Sequence, residues 1–147
     1  MLRRIGLAAT VLLVGVALFA TAAAAATPLT GQYLKVGRAQ VRVLPGSKSA
    51  YVTITEMVGI TGVVVSLPIA VKITNGSFSY SGKTIWRYAI PPVRALPGTG
   101  TIRGTFTTAK SLTLSYNLRR NGASLKKSNL TLAFSASPQT VMPPRSP

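Results

Sequence analysis

Glu56 is the only side-chain carboxylate in the 147-residue chain, which also lacks Asp, His and Cys. Most site chemistry is therefore excluded at the outset. Zinc and calcium sites require Cys, His or several carboxylates, and the usual nucleophile–base pairs require His or an acid. A glycosidase needs two carboxyl groups. A remaining enzymatic pairing would be a Ser or Thr hydroxyl with a lysine of lowered pKa as base, for example Lys110 with Ser111 or Lys127 with Ser128. Neighbours on a strand point to opposite faces, which separates both pairs. The sequence thus predicts no enzyme, no metal and no cofactor.

Binding chemistry is better represented. Arg119, Arg120, Lys126 and Lys127 surround Asn121-Gly122, a turn dipeptide. Such a hairpin is expected to bring four cations to one end of a sheet, as a clamp for phosphate or sulfate. Edge protection is the competing explanation. Trp86, Arg87 and Arg94 form a candidate aromatic–basic surface for sugars or bases. Trp86 and Tyr88 also alternate with Ile90, the pattern of core residues. Thr99, Thr101, Thr105 and Thr107 make a hydroxyl ladder interrupted by Arg103. Leu96-Pro97-Gly98-Thr99-Gly100 has the letters of a sortase signal but no apolar span behind it, so its Pro-Gly reads as a turn. Alternation puts Glu56 on the apolar face with Val52, Ile54 and Val58. A carboxylate there must either be turned outward by a bulge or meet a cation, with Arg42 and Arg103 the candidates.

The elements that position these residues are strands. Residues 1–26 read as a secretory signal peptide: Arg3-Arg4, an uncharged apolar run over 5–19, and small residues with A-x-A cleavage sites. The preferred cut leaves Thr27 first. An uncleaved membrane anchor is the minor alternative. The 27–137 segment reads as one all-β domain, and 138–147 as a Pro-rich disordered tail. Period-two alternation predicts strands at 38–44, 50–58, 62–73 (bent at Pro68), 77–81, 84–90, 99–107, 112–118 and 130–136. Asn75-Gly76 supplies a turn, and Pro91 to Gly98 a Pro-rich loop. The resulting class is a mostly antiparallel β-sandwich or partly open barrel of about eight short strands. A domain of this size buries about 65% of its unfolded surface and needs no disulfide.

Three short motifs recur along 73–136: Asn75-Gly76-Ser77-Phe78-Ser79, then Thr101-Ile102-Arg103-Gly104-Thr105-Phe106-Thr107, then the basic hairpin and last strand from Leu118 to Ala136. In these the chain resembles a group of small secreted all-β proteins of actinobacterial type whose function is unknown. The resemblance implies an exported β-domain and supplies no activity. Members often carry a Cys in the closing hairpin, where this chain has Ser124.

Charge directs the functional expectation. The chain carries 17 Lys and Arg against one acid; without Arg3 and Arg4 the formal +16 becomes +14, almost all of it on the β-domain. Such a domain attracts polyanions. For an exported protein these are anionic cell-envelope or extracellular polymers rather than a specific nucleic acid. The alternative is a structural or protein-interaction module whose charge serves only solubility.

Overall fold

The computed structural model describes residues 25–136. The tail from 138 onward, and all of the expected signal segment except Ala25 and Ala26, lie outside that range. Among the described residues nine strands form one antiparallel sheet: β1 (Gly31–Lys35), β2 (Ala39–Val43), β3 (Ser49–Val58), β4 (Thr61–Ser66), β5 (Val71–Lys72), β6 (Ser77–Tyr88), β7 (Leu96–Thr108), β8 (Ser111–Arg120) and β9 (Ala123–Ser135). Each pairs with its sequence neighbour, except that β4 pairs with β6 and β5 continues along β3. The β1–β9 and β1–β2–β3 pairings close the sheet into a ring. The all-β, antiparallel expectation holds, and its form is a single closed up-and-down sheet.

Several boundaries differ from the sequence reading. β1 is an additional strand, and its Tyr33 is fully buried. The predicted strands at 77–81 and 84–90 are one continuous β6, and Ile90 lies beyond its end, 61% exposed. Pro97-Gly98 is not a turn: Pro97 pairs with Ile85 and Gly98 with Thr84 in the first residues of β7. Proline is tolerated there because ladder donors are dispensable near a strand's start. The bend at Pro68 is as expected, with β4 and β5 meeting successive parts of β3. Asn75-Gly76 and Asn121-Gly122 form their turns with positive φ at both residues, the condition for a two-residue hairpin that follows strand twist.

Alternation along the strands fills the ring with side chains. Trp86, Tyr33, Ile54, Ile102, Leu112, Leu114, Leu118 and Leu132 are among those fully buried. An eight-position ring has room for little more than its own inward residues. Two inward glycines of β7 make space for aromatics from β6. A β-carbon at Gly98 would collide with the Trp86 indole, and one at Gly104 with the Phe78 ring opposite it. The indole Nε1–H donates to Thr84 Oγ1 at 2.9 Å, which satisfies both buried polar groups. One end, the base, holds the 44–48, 73–76 and 109–110 connections. Tyr33 closes it, stacking edge-on against Phe106 and Phe134 while its hydroxyl accepts from Leu29 N–H at 2.8 Å and donates to the Ala109 carbonyl. The other end, the rim, holds the β1–β2, β3–β4, β6–β7 and β8–β9 connections.

Candidate anion-binding face

Inside the ring, near the rim, lies the one acid. Glu56 is 9% exposed, as alternation requires. Its carboxylate accepts a hydrogen bond from Tyr116 Oη at 2.6 Å and one from Arg38 Nη1 at 2.7 Å. The expected partners Arg42 and Arg103 are not the ones used. Arg42 sits on the outward face of β2 and Arg103 on that of β7, whereas Arg38 ends the β1–β2 turn above the rim. β3 and β8 stand on opposite sides of the ring, so the Tyr116–Glu56 bond crosses its interior. Burial raises the Tyr116 hydroxyl above the ordinary tyrosine pKa, and the hydrogen bond and negative charge from Glu56 raise it further, with Arg38 opposing.

With the acid withdrawn inside, the outer face of β6–β9 carries one sign of charge. Strand register arranges its outward side chains in rows. Below Arg87 and the Ile85–Pro97 pair at the rim come Lys83, Thr99, Arg119 and Ser124, followed by Ser81, Thr101, Asn117 and Lys126. Below them Ser79, Arg103 and Ser115 stand together, then Ser77, Thr105, Thr113 and Thr131. The hydroxyl ladder read from the sequence therefore sits within a wider field of hydroxyls, amides and cations. Four shallow depressions run along this face. The first, of about 310 Å³, lies among Ser81, Thr99, Thr101, Asn117 and Arg119. It shares Thr99 and Arg119 with a second toward the rim that adds Lys83 and Arg120. It shares Thr101 and Asn117 with a third beside Arg103, Lys126 and Lys127. Arg103 leads on to the fourth, which reaches Lys72 and Thr74 near the base. Shared residues thus join them into one track along β7. Asn117 Oδ1 is buried beside it without a hydrogen-bond partner.

The hairpin cations do not converge as one clamp. Arg119 and Arg120 are on opposite faces of β8: Arg119 is exposed on the track, while Arg120 turns over the rim, 5.8 Å from the Tyr88 ring centroid. Lys126 is paired with Asn117 and Lys127 with Tyr116, further from the turn than Arg119 and its partner Ser124. β9 also begins at Ala123, well before the predicted start of the last strand, and a bulge lies between Leu114 and Tyr116. The aromatic–basic surface is not assembled, because Trp86 is fully buried. Arg87 lies outside on β6, donating to Ser66 Oγ at 3.3 Å, and Arg94 belongs to the exposed β6–β7 loop. What sequence reasoning missed is the juxtaposition of Arg103, Lys83 and the Ser and Thr rows, which only register brings together. No protein-family model, curated protein or solved structure matches the chain.

Proposed function

We propose that the protein is exported and non-enzymatic, and that it associates electrostatically with anionic cell-envelope or extracellular polymers through the outer face of β6–β9. The observation carrying this reading is the polar track, in which Lys83, Arg103, Arg119 and Lys126 alternate with hydroxyls and no acid intervenes. Strands about 4.8 Å apart and same-face residues about 6.7 Å apart put neighbouring cations roughly 8–14 Å from one another at the backbone. That spacing suits a linear polymer with separated charges better than one compact multianion. The track from Thr99 to Thr105 is about 20 Å long at strand rise. Hydroxyl and amide groups between the cations suit sugar or polyol oxygens. The absence of His, Asp and Cys and the commitment of Glu56 to Arg38 and Tyr116 support a binding role over catalysis. Residues 1–26, with their leader-like pattern, support export, as does the resemblance to secreted β-proteins.

The test is elution from sulfated and polyol-phosphate resins across a salt gradient. An Arg103→Ser, Arg119→Ser, Lys126→Ser triple variant should elute at clearly lower salt than an Arg42→Ser, Lys48→Ser, Lys35→Ser variant of equal net charge. The logarithmic salt dependence of binding should fall by about one for each phosphate that the variant no longer neutralises. Identical elution of the two variants would favour the alternative, a module whose charge serves only solubility.

A further inference from the structure

The rim carries a surface that the polar track does not explain. Val36 is 81% exposed at the β1–β2 turn, and Ile60 is 98% exposed at the Gly59-Ile60 turn between β3 and β4. Ile90 and Val93, 61% and 60% exposed, project from the β6–β7 loop, and Met57 is 58% exposed just below Ile60. An up-and-down ring sends alternate connections to the same end, so all these tips share the rim. The pairings of β2 with β3 and of β4 with β6 make their loops neighbours around it. Turn tips ordinarily hold Gly, Asn, Asp or Ser. The base follows that rule with Pro45-Gly46-Ser47 and Asn75-Gly76. Ile69, 58% exposed, and Tyr51, 49% exposed, lie away from this end, but the four most exposed large apolar residues, Ile60, Val36, Ile90 and Val93, are all on rim loops, and such a grouping marks an interaction surface.

Cations accompany the tips. Lys35 flanks Val36, Arg94 follows Val93, and Arg119 and Arg120 precede the β8–β9 turn. The only nearby acid, Glu56, is withdrawn and paired. We propose that the rim docks on an anionic lipid surface: Val36, Ile60 and Val93 enter the boundary between headgroups and acyl chains, and Lys35, Arg94 and Arg119 meet the headgroup phosphates. Apolar groups backed by basic ones are the general requirement for interfacial attachment. A second copy of the chain is disfavoured, because rim-to-rim contact would oppose like charges with no acid to pair them.

The test uses the full chain with phosphatidylglycerol–phosphatidylcholine vesicles and with phosphatidylcholine vesicles alone. An Ile60→Trp variant reports insertion, since the native Trp86 is buried and gives a fixed background. Its emission should shift to the blue on anionic vesicles only, and acyl-brominated lipid should quench it. Ile60→Asp should weaken vesicle binding at least tenfold with an unchanged melting temperature, because the position is almost wholly exposed. Val36→Asp, on a different loop, should do the same. The N-terminal segment is common to all these chains, so the differences read the rim alone. Absence of quenching at position 60, or binding by Ile60→Asp equal to that of the parent, overturns the proposal. So does concentration-dependent self-association that Ile60→Asp abolishes while vesicle binding is absent.

Discussion

Removal of the Glu56 carboxylate should separate its two partners energetically. In Glu56→Ala the Tyr116 hydroxyl, on a residue 3% exposed, loses its acceptor, a penalty of about 1–3 kcal/mol. One buried methylene, Cγ, goes as well, at ~0.8 kcal/mol, and the space left by the carboxylate adds a cavity cost. Relief of the desolvated charge offsets part of this, and Arg38, 48% exposed, simply returns to water. The expected net loss is about 2–4 kcal/mol. Glu56→Gln keeps the shape and still accepts from Tyr116, so it forfeits the charge assistance and the half-exposed ion pair, about 1–1.5 kcal/mol in all. At roughly 4 °C per kcal/mol for a domain of this size, the melting temperatures of the two variants should be well resolved. Double-mutant cycles in urea then apportion the network. Coupling of Glu56→Ala with Tyr116→Phe should reach about 1–2 kcal/mol, and with Arg38→Ala stay below about 1 kcal/mol. Equal losses for Ala and Gln would refute the hydrogen-bond accounting. A larger coupling to Arg38 than to Tyr116 would show that the ion pair, not the bond across the ring, anchors the acid.

Two further perturbations probe the same interior. Gly104→Val places branched carbons where the Phe78 ring lies and should destabilise by about 1–3 kcal/mol through overpacking; pairing it with Phe78→Ala should recover part of the loss in urea melts, and no recovery would contradict the assigned contact. Alkaline unfolding should report Tyr116 and Tyr33, both of which keep their protons above the ordinary tyrosine value of 10.0. Below pH 10 folded and unfolded chains bind these protons equally, and the stability is fully present. Above it the unfolded chain releases protons that the folded chain retains, so each tyrosine lowers stability by about 1.4 kcal/mol per pH unit until its raised folded value is passed. Tyr116→Phe should flatten that limb by one such contribution, and an unchanged slope would contradict the buried assignment.

Period-two patterning was the most readable feature of the chain. The alternation of Leu112, Leu114, Tyr116 and Leu118, and of Val52, Ile54 and Glu56, put the right residues inside, including the acid. The Asn-Gly turns were legible because positive φ at both positions demands that chemistry. β1 was missed because five residues, Gly31 to Lys35, carry only one fully buried side chain and no clear alternation. The start of β7 was hidden by composition, since proline and glycine usually punctuate chains. There Gly98 serves instead as floor space for Trp86. The partner of Glu56 could not be read, because which turn residue overhangs the interior depends on how the ring closes.

The same closure decides where binding chemistry can reside. A ring of eight strand positions leaves little interior room, so its inward residues are committed to packing, to the acid–phenol bond and to the Trp86–Thr84 and Tyr33 hydrogen bonds. Most of the cations lie outside, and antiparallel register then converts scattered Ser, Thr, Lys and Arg into ordered rows on β6–β9. Distributing cations over four strands while keeping acids off the surface produces an extended field rather than a pocket. The hairpin at 119–127 is dense in sequence but splits in space, since adjacent residues of β8 face opposite sides. Arg103 lies far from that cluster in sequence, yet register places it between Ser79 and Ser115 on the same track as Arg119. Charge density along the chain is therefore a poor guide to charge density on a closed sheet. Strand register is the better one.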